Sequence, residues 1–495
     1  MRHLLNAMLC LLLCAGTLTA ASFDYSEPAP TVYRLALSLK IEEAERTLLR
    51  MHIQNPDNLA AQHLYNYLDF VRLFTSEDPA AYARLKKNEE SRIRTLQTGN
   101  PASPYYLYVQ ADIRLQWALL KFRFNEPVSA FLDMGKAYRL LRRNQELFPS
   151  FLPNQKNLAI LHALAGTIPD SYRWGARVLG GLSGTVNQGR AELEQVLRKA
   201  QKQAFFFKEE TVLIYAYVLL RLCNEGEKAW NLLSDIPLHP QNNLLHCFVR
   251  ADIAMQTGHN DAALETLEKR PTSPSFIAFP QLDYLLGSAR LRKLDPRAAN
   301  AFLTFLAQHK GPNGIKDTYQ KLAWHAWALR NDQASYRQYM QRAIKEGQAV
   351  TGADKNALEE AEAHQIPLPA LLKARLLFDG GYYQEALQAV QAAEPHTFAQ
   401  RLEYHYRSGR ILHALKQYPK ALANYQKTIT LGRNDASYLA CNAALQSGLI
   451  YELLGKTADA ERFFQICLTL NPEDYRAGLH QAAKAGLSRL KDQKN

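Results

Sequence analysis

One spacing constrains this chain more than any other feature. Between residues 205 and 472 a small residue recurs at Ala229, Ala263, Ala299, Ser335, Ala386, Ala421 and Ala460, at intervals of 34, 36, 36, 51, 35 and 39 residues. Twelve positions before these lie Tyr217, Ala251, Gly287, Ala323, Ala374, Gly409 and Gly448. Four positions after them lie Leu233, Leu267, Leu303, Tyr339, Val390, Tyr425 and Phe464. Small residues on two consecutive helices let the backbones approach closely, and the large residue fills the gap beside the crossing. A period of this length specifies helical hairpins stacked in series, not one compact core. Tyr217 is the exception to the first-helix rule.

The best-formed unit is NAALQSGLIYELLGKTADAERFFQICLTLNP, Asn442 to Pro472. Gly448 and Ala460 make the crossing, Tyr451 and Phe464 fill it, Gly455 punctuates the turn and Pro472 stops the second helix. Small, large, turn, small, large and proline at these offsets resemble a tetratricopeptide repeat, and 205–472 resemble that superfamily throughout. The resemblance implies an all-α fold, a right-handed α-α superhelix of tetratricopeptide-like solenoid type, with an irregular N-terminal helical region. It also implies protein or peptide binding without catalysis.

A second resemblance is looser. The stretch LAILHALAGTIPDSYRWGARVLGGLSG through GRAELEQVL, and GIKDTYQKLAWHAWAL from Gly314 to Leu329, are similar to a eukaryotic repeat family linked to inclusion-body clearance. The chain also resembles exported Bacteroides-type repeat proteins of unknown role. Neither family brings a catalytic motif to these residues.

The N-terminus differs from the rest. Arg2 and His3 precede an apolar run from Leu4 to Leu13, then small residues lead to Ala20, Ala21 and Ser22. This is the pattern of a secretory signal peptide cleaved after Ala20 or Ala21. Retention as an anchor is one alternative, and lipidation at Cys14 is another. The bulky Leu13 before that cysteine argues against lipidation. The expected location is therefore periplasmic or extracellular, with membrane association as an alternative. No later stretch is apolar for long enough to span a bilayer.

The 495 residues exceed what one core organises. The expected organisation is a signal peptide over 1–21 and an N-terminal helical region with one degenerate repeat over 22–204. Four repeat units follow over 205–348, then a helical insert over 349–368, three units over 369–472 and a capping helix over 473–495. The degenerate repeat rests on Ala44, Leu48 and Pro56, after a proline-bearing segment, 23–35, read as irregular. Tyr105 to Leu147 reads as two long packed helices bounded by prolines.

No HExxH, GxSxG or P-loop spacing is present, and Gly180, Gly181 and Gly184 follow no strand. His405 and His413 stand eight residues apart, a poor metal spacing. No catalytic residue, metal or cofactor is therefore assigned. Cys223, Cys247, Cys441 and Cys467 form no CxxC pair; buried thiols, or a Cys441–Cys467 bridge, are both open. The formal charge of +12 is spread along helices, so no nucleic-acid partner is expected.

Positions one and four beyond the small first-helix residue should line the inner groove of a solenoid. These are Trp324, Trp327, Arg375, Arg410, His413, Leu449 and Glu452, with Tyr406 joining them. Arg375 and Arg410 hold equivalent positions in adjacent repeats and could grip a carboxylate by charge-assisted hydrogen bonds. The sequence thus points to an exported, non-enzymatic scaffold in an envelope assembly, with a protein or peptide partner of acidic character. The rival reading is a membrane-associated or lipid-handling protein, suggested by the apolar 160–182 region.

Overall fold

The computed structural model describes residues 21–167 and 181–492. Residues 1–20 of the signal peptide expected over 1–21, and most of the apolar helix expected at Tyr172–Leu182, lie outside the described residues. Those residues are helical throughout, apart from turns and two isolated bridges, Ala21 to Gly99 and Ser22 to Asn58. The architecture is an all-α solenoid of paired helices. It divides into two compact units, Met1–Ile253 with Lys269–Pro280 and His309–Gly311, and Ala254–Glu268 with Gln281–Gln308 and Pro312–Asn495.

The first unit holds α1 (Ala29–Leu37), α2 (Ile41–Gln54), α3 (Ala60–Ser76), α4 (Pro79–Leu85), α5 (Asn88–Leu96), α6 (Pro104–Arg123), α7 (Pro127–Leu147), α8 (Leu152–Ala165), α9 (Val186–Lys199), α10 (Lys208–Tyr217) and α11 (Gly226–Ser234). Helix α12 (Leu244–Gln256) follows. The segment 23–35, read from the sequence as irregular, is helical from Ala29 onward: Pro30 stands in the first turn, where its missing N–H costs nothing. The α6–α7 pair is itself a close-packed hairpin, with Ala118 and Ala130 fully buried. Helix α9 presses Gly189 against α8, where any Cβ would stand 2.4 Å from the Ala159 carbonyl oxygen.

The second unit holds α13 (Asn260–Glu268), α14 (Gln281–Arg292), α15 (Ala298–Gln308), α16 (Ile315–Arg330), α17 (Gln333–Lys345), α18 (Gly352–Glu362), α19 (Pro369–Asp379), α20 (Tyr383–Gln391), α21 (Phe398–Ala414), α22 (Tyr418–Leu431), α23 (Leu439–Leu453), α24 (Thr457–Thr469) and α25 (Arg476–Asp492). Consecutive helices pack on each other except at the insert, where α18 packs back on α16 and α17, and first helices also pack on first helices two elements away, α21 on α19 and α23 on α21. The last helix, α25, lays Gly486 against Phe464, whose ring fills the Gly448 crossing from the other side. Cys441 and Cys467 are buried in the same core with their sulfurs 3.5 Å apart and unbonded.

One device sets the register of these hairpins. A left-handed residue stands in each turn, among them Leu39, Asn125, Lys416 and Gly455. It ends the first helix in a Schellman-type cap. The next amide then reaches back five residues, as Gln417 does to the Leu412 carbonyl (2.8 Å) and Lys456 to that of Tyr451 (2.9 Å).

Two turns are one residue wider. Glu225 bonds back to Leu219 and Asp332 to Ala326, six residues each, and a π-helical stretch, Val218–Leu222, leads into the first of these turns. The extra residue moves the crossing. Ala216, not Tyr217, is the buried partner of Ala229, and Tyr336 with Met340, not Ser335 with Tyr339, fills the crossing against Ala323. In the α14–α15 hairpin, Pro296 delays the second helix to Ala298. The buried pair there is Ala298 and Phe302, while Leu303 is 44% exposed.

Candidate functional site

A cavity of about 400 Å³ opens among the first helices of the second unit. Helices α14, α16 and α19 supply one wall each through Arg292, Trp324 and Arg375. The fourth side is α18, the insert foreseen in the 51-residue gap, which contributes Asn356, Glu359 and Glu360. Tyr438, Asp474 and Tyr475, from the turns before α23 and α25, close the end.

Helix α18 is held in place by one carboxylate. Asp354 is fully buried and accepts from the Gly314 amide (2.8 Å), the Asp317 amide (3.2 Å) and the Thr351 hydroxyl (2.6 Å). It therefore caps the start of α16 across the chain and holds Thr351, whose hydroxyl oxygen caps α18 by accepting from the Asp354 amide. Burial raises its pKa above the usual aspartate value despite those donors. The insert is thereby a fixed wall.

The wall chemistry is dense. Trp324 donates its indole N–H to Glu360 Oε1 (2.6 Å), and Gln320 donates to Oε2 (2.8 Å). The Arg375 guanidinium lies 4.5 Å over the Trp324 ring and 3.9 Å from Glu360. Lys321 pairs with Asp317 at 2.5 Å, and that same carboxylate accepts from Tyr284. Tyr475 accepts from Asn356 (3.0 Å) and meets Tyr438 edge-to-face at 5.0 Å.

The residues expected to line the groove separate into three groups. Trp324 and Arg375 come together in the cavity. Tyr406, Arg410 and His413 form an adjoining cluster. Arg410 donates to the Tyr406 hydroxyl (3.0 Å) and lies 5.0 Å over Phe378, while Tyr406 meets Tyr438 edge-to-face. Burial, with the Arg410 charge alongside, lowers the His413 pKa. The others are engaged elsewhere: Trp327 donates to the Pro367 carbonyl (2.7 Å), Leu449 packs on the C-terminal core, and Glu452 is bound bidentately by Arg489 of α25. Both arginines thus spend their charge inside the protein, on Glu360 and on aromatic faces.

Sequence reasoning missed Asn356, Glu359, Glu360, Tyr438 and Tyr475. They stand outside the repeat register, in the insert and in turns, where periodicity has no reach.

It also missed a buried polar network in the first unit. The His63 ring bridges Tyr25 (2.7 Å) and Asp112 (2.9 Å), and Asp112 further accepts from Asn157 (2.6 Å) and Gln116 (2.7 Å). Burial opposes ionisation of Asp112, but the His63 bond and the Lys156 charge outweigh it and hold the carboxyl low. Beside it Lys156 pairs with Glu210, which also accepts from Tyr33 and Tyr67. The cavity of this unit, about 450 Å³, is lined instead by aromatics such as Tyr105, Phe151 and Phe206. The network is buried and internally hydrogen-bonded, the condition under which polar groups specify a core. Its only linear trace is polar residues, Asp112, Gln116 and Asn157, at inward positions of apolar helices. Among the described residues no His, Cys, Asp and Glu group has the arrangement to hold a metal.

Residues 442–474 match the family model of the tetratricopeptide repeat. This stretch is a tetratricopeptide repeat. The matched segment is the α23–α24 hairpin, with Gly448 and Phe464 in contact. Such repeats form scaffolds for protein interaction, and no catalytic family is indicated. No curated protein matches the chain. A solved structure described as the TPR domain of P58(IPK) aligns at 13% identity, over 86% of this chain and 98% of that one, with a TM-score of 0.22. No helix among the described residues is long and apolar enough to cross a membrane.

Proposed function

We propose that this chain is an exported, non-enzymatic scaffold that holds a protein or peptide partner of an envelope assembly in the cavity of its second unit. The observation that carries the reading is the convergence of Trp324, Arg375, Tyr438 and the insert helix around an open space of about 400 Å³. That volume suits one or two side chains of an extended segment. Export is supported by the charged, apolar and small-residue succession of the first 21 residues. The acidic partner suggested by the arginine pair loses its footing, because Arg375 and Arg410 are already engaged.

A photo-crosslinking side chain placed at Asn356 in living cells tests the proposal. Specific adducts at Asn356, absent when the same group replaces Leu303 on a second helix, are the expected result. Identical adduct patterns at both positions would remove the cavity as a partner site. Pulse labelling that shows no shortened chain would remove export by a cleaved leader.

A further inference from the structure

The cavity carries a sign opposite to that of the whole chain. The chain is +12, yet among the described residues the lining sets three cationic side chains against five carboxylates. All three cations are engaged. Arg292 donates to the Met255 carbonyl (2.6 Å), Lys321 pairs with Asp317, and Arg375 lies between Trp324 and Glu360. Glu359, Asp379 and Asp474 remain. They are exposed, and their carboxylates enter no hydrogen bond or salt bridge with the described residues. They come from three separate elements, α18, α19 and the turn before α25, and converge on one space.

The aromatic walls point the same way. Tyr475 adopts a left-handed backbone (φ 57°), a conformation that costs a bulky residue, and its hydroxyl is held by Asn356. Its ring is 56% exposed beside Tyr438. Aromatic faces next to carboxylates attract guanidinium and ammonium groups by quadrupole and charge together. The same chemistry already operates in this cavity, where Arg375 lies over Trp324 beside Glu360.

We infer that the cavity accepts an arginine or lysine side chain of an extended partner segment, set against the exposed ring of Tyr475 and paired with Asp379, Asp474 and Glu359. The inference rests on the scaffold reading above and gives its partner a charge. An acidic segment would meet five carboxylates, and the one cation left without a hydrogen bond, Arg375, already faces Glu360 at 3.9 Å. Because the rest of the chain repels cations, binding of this kind is local recognition, and a general attraction cannot imitate it.

Fluorescence polarisation on the full chain tests it with three labelled Gly/Ser peptides, which carry arginines, citrullines or glutamates at the same positions. The arginine peptide should bind at least about tenfold more tightly than its citrulline twin, which keeps the shape and lacks the charge. The triple variant E359Q, D379N and D474N should weaken arginine-peptide binding about tenfold with unchanged circular dichroism, and Tyr475→Ala should weaken it as well. Equal binding of arginine and citrulline peptides, or an indifferent triple variant, overturns the inference. Preferential binding of the glutamate peptide, lost in Arg375→Ala, also overturns it but leaves the cavity as a partner site. If none of the three peptides binds and Asn356 crosslinks no differently from Leu303, both readings fall together.

Discussion

Replacing Gly448 with alanine probes the crossing on which the repeat register rests. A Cβ at this position would stand 2.6 Å from Cδ1 and Cε1 of Phe464. Favourable carbon contacts begin near about 3.5 Å, so the deficit is roughly 1 Å. The ring has no room to withdraw. It is fully buried, and its other edge lies against Gly486, where a Cβ would also fall 2.6 Å away. Overpacking of this kind costs about 1–3 kcal/mol. Alanine in place of glycine within a helix returns about 0.5–1 kcal/mol. The expected net loss is therefore up to about 2.5 kcal/mol.

Gly478, in the first turn of α25, has no atom within 4 Å of its ideal Cβ. Gly478→Ala should therefore stabilise, by up to about 1 kcal/mol. Urea denaturation followed by circular dichroism gives the two signs, and hydrogen exchange over 439–492 localises the change. Phe464→Leu should cost less in the Gly448→Ala background than alone, with a coupling of about 0.5–3 kcal/mol. If Gly448→Ala stabilises as much as Gly478→Ala, the two helices do not cross at that residue and the register is wrong.

Other consequences follow from the same contacts. Ala460→Leu should overpack the partner side of this crossing by about 1–3 kcal/mol, read as a lowered urea midpoint. Asp354→Ala removes three buried hydrogen bonds and should cost about 1–3 kcal/mol, with faster hydrogen exchange in 352–362 and at the start of α16. Burial is the leading cause that lowers the pKa of both His325 and His413. Below about pH 6.5 the unfolded chain takes up protons that the folded chain refuses, so stability should fall as pH drops through that value. The double variant His325→Gln, His413→Gln should flatten the fall in melting temperature between about pH 7 and about pH 5. An unchanged slope would mean that neither ring is shielded from water.

The repeat was legible because its constraints are local. Gly448, Ala460 and Phe464 sit at fixed offsets, and each excludes most other residue types at its position. The reading slipped by one residue wherever the turn was not standard. At Asn224 and Asn331 the wider closing turn adds a residue, and at Pro296 the second helix starts late. Side-chain spacing cannot reveal such changes, because they lie in backbone hydrogen bonds. The α6–α7 hairpin was read as two long packed helices, but its Ala118 and Ala130 crossing was not singled out. Its dense aromatics, which include Trp117 in the core, read only as two packed helices.

The candidate site was half legible. Trp324 and Arg375 lie on first helices, at the predicted face. Leu449 and Glu452 have the same offsets, but packing of α25 on α23 engages Glu452 through Arg489, and the C-terminal core takes Leu449. Equivalent positions in a repeat are equivalent only in the backbone, and neighbours decide which of them meet solvent.

The sequence by itself determined the secondary structure, the pairing of consecutive helices and the small-against-large crossings. Those depend on contacts within about forty residues, the span of one repeat. Tertiary structure decided the cavity. Asn356 meets Tyr475 across 119 positions of sequence, and no local pattern relates them. It also decided the sign of the site, because whether Arg375 or Asp379 keeps its charge for a partner depends on which groups pack beside it.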